Sequence, residues 1–177
     1  MRRGGVPHMA GVIAEMEACV PALRRYASAL VRDNQEADNL VHDCLEVALD
    51  RLHTWREDGQ MRAWLFTILH NLLIDLVRRA KVRGIAVPID VVDEAVLMPP
   101  SQNDYMHGRD LVDALDRLTI EQRTVLLLVT VEGLSYADVA RIVGVPIETV
   151  MSRLSRARET LRREACVVPP SALRRVR

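Results

Sequence analysis

The stretch LSYADVARIVGVPIETVMSRLSRARETLRR, from Leu134 to Arg163, predicts two helices joined by a tight corner. Ser135 is a good N-cap for the first helix, and Gly144 is placed to end it because glycine adopts positive φ most easily. Pro146 suits the first turn of the second helix, whose apolar residues recur at intervals of three and four. They are Ile147, Val150, Leu154, Ala157 and Leu161. Two helices joined in this way are typical of a helix-turn-helix.

The face of the second helix opposite this apolar stripe carries side chains that can bind DNA. Arginine pairs bidentately with the major-groove edge of guanine, and serine and threonine reach base edges or phosphates. The face contains Glu148, Thr149, Ser152, Ser155, Arg156 and Glu159, with Arg153 on one flank and Met151 and Arg158 on the other. A merely solvated face is the alternative. The agreement of turn residues, apolar period and arginine positions favours a DNA-binding helix.

The composition is that of a folded protein without a membrane span. The chain has 177 residues, of which 49% are apolar, enough for one domain or two small ones. No apolar run approaches the roughly 18 residues of a membrane span, and the N-terminus lacks an apolar signal core. We therefore expect a cytoplasmic protein with no membrane insertion. Cys19, Cys44 and Cys166 are widely spaced and odd in number, which predicts no disulfide framework. His42 and Cys44 are two residues apart on a predicted helix and point in different directions, which favours a buried structural cysteine over a metal site. We expect no cofactor.

The formal net charge of zero is the sum of unequal blocks. Residues 10–77 hold six basic and eleven acidic residues, and a basic group of Arg78, Arg79, Lys81 and Arg83 follows. Residues 86–116 hold seven acidic residues and one arginine, whereas residues 135–177 hold nine arginines and four acids. Such alternation suits a protein that contacts DNA at two places and a protein partner elsewhere.

Apolar periodicity predicts an all-α protein made of two small helical domains joined by a flexible linker. Three helices are expected over Glu15–Val31, Gln35–Thr54 and Met61–Arg79, and helical patterns resume at Gly108 and at Thr119, an N-cap with Gln122 three residues on. No alternating pattern is long enough for a strand. The expected domains are a disordered or non-native N-terminus at 1–12, a first domain at 13–83, a linker at 84–107, a second domain at 108–165 and a tail at 166–177.

Three stretches, in this order, resemble the extracytoplasmic-function (ECF) group of bacterial RNA polymerase sigma factors. LRRYASALVRDNQEADNLVHDCLEVAL (Leu23–Leu49) is similar to the start of sigma region 2, and RAWLFTILHNLLIDLVRR (Arg62–Arg79) to its promoter-melting helix. LTIEQRTVLLLVTVEGLSYADVARIVGVPIETVMSRLSRARETLRR (Leu118–Arg163) is similar to sigma region 4. The resemblance implies a protein that binds RNA polymerase core and directs promoter recognition and melting.

The resemblance also implies three sets of site residues. The residues that match the family's −35-binding positions are Glu148, Thr149, Ser152, Arg153 and Arg156. The residues that match its −10-binding segment are Asn71, Asp75, Arg78 and Arg79. The residues that match its polymerase-docking helix are Leu40, Asp43 and Glu46. For Leu40 a place in the core is equally open. Met151 stands where many members carry lysine, which removes a possible phosphate contact. Asn39 and His42 replace a frequent aspartate and glutamine of the docking helix.

The partners implied by the resemblance are RNA polymerase core, promoter DNA and an anti-sigma factor. The short stretches PALRRYA, LHTW and AWLFTILHN are similar to a subgroup that serves the general stress response through partner switching. The anti-sigma factor itself is not identified by any residue of the chain.

Two other functions are open at this point. A transcriptional regulator would bind an operator through the helix-turn-helix without polymerase core, with Glu15–Arg79 as a sensor or dimerisation domain. A nucleic-acid hydrolase would use Asp38, His42, Asp43 and His70. Because these four residues lack ligand spacing and the chain has no Gly-rich phosphate loop, we expect a protein that is not an enzyme.

Overall fold

The computed structural model describes residues 9–31, 33–55, 60–82 and 114–167. Within these ranges the chain is helical and contains no strand, which confirms the all-α prediction. The helices are α1 (Met9–Ser28), α2 (Asn34–Asp50), a 3-10 turn (Leu52–Thr54), α3 (Met61–Val82), α4 (Ile120–Thr130), α5 (Tyr136–Val143) and α6 (Ile147–Val167). None of the described helices is long and apolar enough to cross a membrane.

Short-range hydrogen bonds cap three of the described helices at their N-termini, at Asp33 and at the two predicted N-caps, Thr119 and Ser135. Asp33 accepts a hydrogen bond from the Gln35 backbone N–H at 2.8 Å, and so caps α2. Thr119 and Gln122 form a reciprocal capping box at the start of α4. Ser135 caps α5 by accepting from the Asp138 N–H at 3.1 Å.

The corner between α5 and α6 depends on the backbone of Gly144. This residue has φ +66° and ψ +36°, a left-handed conformation in which a side chain is strained. The Val145 N–H donates to the Ala140 carbonyl at 3.1 Å, which closes the end of α5. Helix α6 starts two residues later at Ile147, and the helix-turn-helix prediction is confirmed.

The first helix is longer at its N-terminal end than the sequence predicts. Helix α1 begins at Met9, six residues before Glu15, so residues 9–12 are helical rather than part of a disordered N-terminus. Val12 and Met16 are buried and extend the apolar stripe one turn backwards. Their burial outweighs the weak helix preference of the neighbouring Gly11. The predicted linker over 84–107 lies outside the described residues. Of the predicted tail at 166–177, residues 166 and 167 form the end of α6, and the rest lies outside the described residues.

Helices α1, α2 and α3 pack on one another as an N-terminal module, and α4, α5 and α6 as a C-terminal module. In the first, the Tyr26 and Phe66 rings meet edge to face, with centroids 5.3 Å apart. In the second, the buried Arg123 ties α4 to the preceding turn, because it donates to the Leu115 carbonyl and pairs with Asp116. The two modules touch where α5 packs against α3, and their buried apolar residues form one continuous cluster.

Candidate nucleic-acid interface

Helix α6 presents a polar face because its other face is held in the core of the C-terminal module. Val150, Leu154 and Ala157 are buried there, as the apolar period predicts. Glu148, Ser152 and Arg156 are exposed on the opposite side, and Thr149 is half-buried between them. The side chains expected to contact the −35 element therefore include three that are free to enter a groove of duplex DNA.

Arg153 differs from the rest of this set because it lies toward the junction of the modules. Its side chain is half-buried, and its charge acts on His70 of α3 and on Glu121 of α4. Hydrogen bonds from its own backbone N–H and from Thr119 lower the pKa of Glu121, and the positive charge of Arg153 adds to this effect. Arg153 is thus held near two protein groups in this conformation.

Apolar side chains flank the groove-facing side of α6. Met151 is 52% exposed and Ile147 is 41% exposed. A methionine at this position offers no charge to a phosphate, but apolar side chains can contact the methyl group of thymine. The departure from the family pattern noted at Met151 therefore lies on the accessible surface of the helix.

The residues expected at the −10 element lie along the C-terminal half of α3. Asn71, Arg78 and Arg79 are exposed, and Asp75 is half-buried. Arg78 Nη1 lies 3.3 Å from Asp75 Oδ1, an ion pair of neighbours three residues apart. Such an exposed pair is weak and opens at little cost, so both side chains are available to another partner.

Helix α2 carries the residues that match the polymerase-docking segment. Of the two roles that the sequence leaves open for Leu40, the structure shows the core position, since this residue is buried. Asp43 and Glu46 are exposed, and Glu46 Oε1 lies 3.2 Å from His42 Nε2. Of the three expected docking residues, Asp43 and Glu46 are therefore on the surface of α2 and Leu40 is not.

The residues of the hydrolase alternative do not come together. Asp38 pairs with Arg24 at the surface of the N-terminal module, at 3.2 Å. His70 is buried, with Nδ1 3.3 Å from the Tyr26 hydroxyl, whereas His42 and Asp43 are exposed on α2. Burial and the nearby positive charge of Arg153 lower the pKa of His70 from 6.5 to about 4. No group of three or more metal-ligand side chains is present in the described ranges.

A buried acid at the module junction is absent from the sequence predictions. Glu132 follows α4, and its carboxylate accepts hydrogen bonds from Arg25 of α1 and Arg62 of α3. The only hint in the sequence is its setting between apolar residues, in the stretch LLLVTVEGL. The two arginines are 107 and 70 residues away along the chain, so no local pattern pairs them with it.

Comparison with known protein families covers both modules. Residues 16–70 match the family described as "Sigma2 domain of PhyR", and residues 108–161 match "Sigma-70, region 4". These matches fall on α1 to α3 and on the helix-turn-helix module respectively.

Individual relatives are similar over most of their length. The chain is 35% identical over 144 residues to "ECF RNA polymerase sigma factor EcfG" of Rhodopseudomonas palustris, covering 81% of this chain and 79% of the relative. It is 35% identical over 141 residues to "ECF RNA polymerase sigma factor SigM" of Mycobacterium tuberculosis, covering 80% of this chain and 70% of the relative.

A solved structure extends the similarity to three dimensions. It is the sigma factor RpoE of Bartonella quintana in complex with the anti-sigma factor NepR, which matches with a TM-score of 0.73 at 31% identity. The match covers 88% of this chain and 97% of that one. By its two modules, its helix-turn-helix and these relatives, the chain belongs to the ECF group of RNA polymerase sigma factors.

Proposed function

We propose that this chain binds RNA polymerase core and directs it to promoters, with α6 contacting the −35 element and α3 the −10 element. The main support is the polar face of α6, on which Glu148, Ser152 and Arg156 are exposed while Val150 and Leu154 are buried behind them. The exposed Arg78 and Arg79 at the end of α3 supply a second cationic site on the same chain. The chain would act in the cytoplasm, where bacterial RNA polymerase binds DNA.

The division of labour follows from the cost of opening DNA. Breaking stacked pairs costs about 1.4 kcal/mol per step, and holding an extruded base costs a few kcal/mol more. One exposed helix cannot supply this alone. The chain therefore provides specificity and capture of the separated strand, through Asn71 and Asp75 for a base and Arg78 and Arg79 for phosphates, while polymerase supplies the remaining contacts. No covalent step by this chain is required, in keeping with relatives that are sigma factors.

Two protein partners follow from the exposed surfaces and the relatives. Asp43 and Glu46 on α2 would dock on the polymerase core, since both are exposed on one helix. An anti-sigma factor would compete for the chain, as the similar RpoE structure contains NepR. The N-terminal module has exposed apolar side chains suited to such contacts, among them Met9, Ile13 and Leu49.

Run-off transcription with purified core polymerase over a library of promoter sequences tests the proposal. We expect transcription only when both the chain and core are present. Arg156→Ala should relax the preference at a −35 position by about 1–3 kcal/mol, whereas Asn71→Ala should reduce opening without altering that preference. Arg24→Ala is the matched control, because Arg24 is an exposed arginine of the N-terminal module outside all three sets. Tight duplex binding without core, and no stimulation of transcription, would instead favour an operator-binding regulator.

A further inference from the structure

The junction of the modules is built around one buried carboxylate. The Glu132 side chain is only 1% exposed, whereas those of Arg25 and Arg62 are 39% exposed. Arg25 Nη2 lies 3.2 Å from Glu132 Oε2 and 3.4 Å from Oε1, and Arg62 donates to Oε2 as well. Arg62 also lies over the Phe66 ring, at 5.7 Å from its centroid. The acid comes from the C-terminal module and both arginines come from the N-terminal module.

The arrangement in which the two modules touch, here called closed, depends on the pairing of these charges. A carboxylate that is buried without a partner is strongly unfavourable, so the modules can close on Glu132 only when both arginines meet it. When the modules separate, all three groups regain water, which offsets much of the attraction. The contact of Glu132 with the two arginines therefore favours the closed arrangement of the modules but still allows them to separate. A switch between two states requires both properties.

Closing also partly covers one of the residues expected to contact DNA. Helix α5 of the helix-turn-helix packs against α3, which carries the −10 residues. Arg153 is half-buried, and its charge acts on His70. The buried Tyr26 of the N-terminal module contacts Thr124 of α4, and its hydroxyl lies 3.3 Å from His70 Nδ1. Arg153, which is expected to contact the −35 element, is thus partly engaged with protein in the closed arrangement.

The closed arrangement is too compact for both promoter elements. Elements centred at −35 and −10 are separated by roughly 85 Å of duplex at about 3.4 Å per base pair. Helices α3 and α6 are each only about 30 Å long, at 1.5 Å per residue, and belong to modules that touch. Contact with both elements requires the modules to separate.

We propose that Glu132, Arg25 and Arg62 form a latch that holds the free protein closed, and that docking on polymerase core opens it. The latch holds the modules together whether or not the chain directs transcription, whereas its effect on promoter binding rests on the proposed function. Different measurements therefore test the two.

Small-angle X-ray scattering of the free full-length chain tests the latch. Glu132→Arg puts three arginines together and should raise the radius of gyration above that of the wild-type protein. The triple variant Glu132→Arg, Arg25→Glu, Arg62→Glu reverses every charge and should restore the wild-type value. Asp38→Arg makes the same charge change at an exposed pair within one module and should leave the radius unchanged. Circular dichroism checks that each variant retains its helices.

Binding to core polymerase, measured by fluorescence anisotropy, provides the second arm. If closing competes with docking, Glu132→Arg should bind core about tenfold more tightly than the wild type, because less of the protein is held in the closed state. A folded Glu132→Arg variant that is as compact as wild type would overturn the latch. A change in radius without any binding to core by any variant would support the latch and overturn the proposed function. If Glu132→Arg supports normal transcription and has the wild-type radius and affinity for core, the proposed function is supported and the latch is overturned.

Discussion

At the scale of single residues, His70 couples the stability of the module junction to pH. It is buried against Tyr26, and the Arg153 charge is nearby, so burial first and Arg153 second lower its pKa from 6.5 to about 4. Above pH 6.5 the imidazole is neutral in both the folded and the unfolded chain. Between pH 6.5 and 4 only the unfolded chain takes up the proton, so the folded state loses stability as pH falls through this window.

We expect the free energy of unfolding to fall by about 2 kcal/mol between pH 7 and pH 5 through His70 alone, since one pH unit corresponds to 1.36 kcal/mol. Urea denaturation at the two pH values measures the loss. In His70→Gln the dependence over this range should largely disappear, whereas in His42→Gln it should persist because His42 is exposed. An equally steep loss in His70→Gln would contradict the assignment.

Met151 makes the recognition helix less cationic than the family pattern. Because it is 52% exposed on α6, a lysine there would reach a phosphate without disturbing the core. We expect Met151→Lys to steepen the dependence of promoter binding on salt by about 0.9 in the slope of log K against log salt. Titrating the polymerase complex with labelled promoter at several salt concentrations measures this slope. Met151→Gln should keep the wild-type slope, and an unchanged slope in the lysine variant would exclude a phosphate contact at this site.

At the scale of the elements, Gly144 and Gly11 have different roles: the first forms a turn with positive φ, and the second lies within a helix. Gly144 ends α5 at φ +66°, whereas Gly11 is exposed within helix α1, and an added Cβ would meet no atom within 4 Å at either position. Any difference between the two substitutions therefore comes from the backbone conformation.

We expect Gly144→Ala to destabilise the protein by about 1–2 kcal/mol, the cost of a left-handed residue with a side chain. Gly11→Ala should stabilise it by about 0.5–1 kcal/mol, because alanine favours the helix. Thermal and urea unfolding compare both with the wild type. Equal effects of the same sign would show that the corner can relax to another conformation.

The elements also differ in how local their determinants are. The capping box of Thr119 and Gln122 and the N-cap Ser135 lie within three residues of their partners, so the sequence predicts the starts of α4 and α5. The sequence does not predict the start of α1 at Met9, because that start depends on the burial of Val12 and Met16 in the core. Likewise, the position of Leu40 on α2 suits core or surface, and only packing decided between them.

At the scale of the whole molecule, the two modules share one apolar core. Buried residues from α1 to α6 form a continuous cluster. The contacts of Glu132 with Arg25 and Arg62 also join the two modules. Helices that share a core lose their mutual support together when any part unfolds. The free protein should therefore behave as one cooperative unit although its sequence suggests two domains.

We expect differential scanning calorimetry of the wild-type protein to show one transition. In Glu132→Arg the modules should unfold separately, which would appear as two transitions or as one broadened beyond the two-state width. Asp38→Arg should retain the single transition. Two resolved transitions in the wild type would mean that the modules contribute little to each other's stability.

The sequence by itself determined the helical class, the helix-turn-helix, the helix caps and the family resemblance. Each depends on residue types at short and regular spacing, which a linear pattern contains in full. The tertiary structure alone decided the pairing of Glu132 with Arg25 and Arg62, the burial of His70 and the half-burial of Arg153. These depend on how the modules meet, and charges brought together from 70 to 107 residues away leave no periodic trace in the chain.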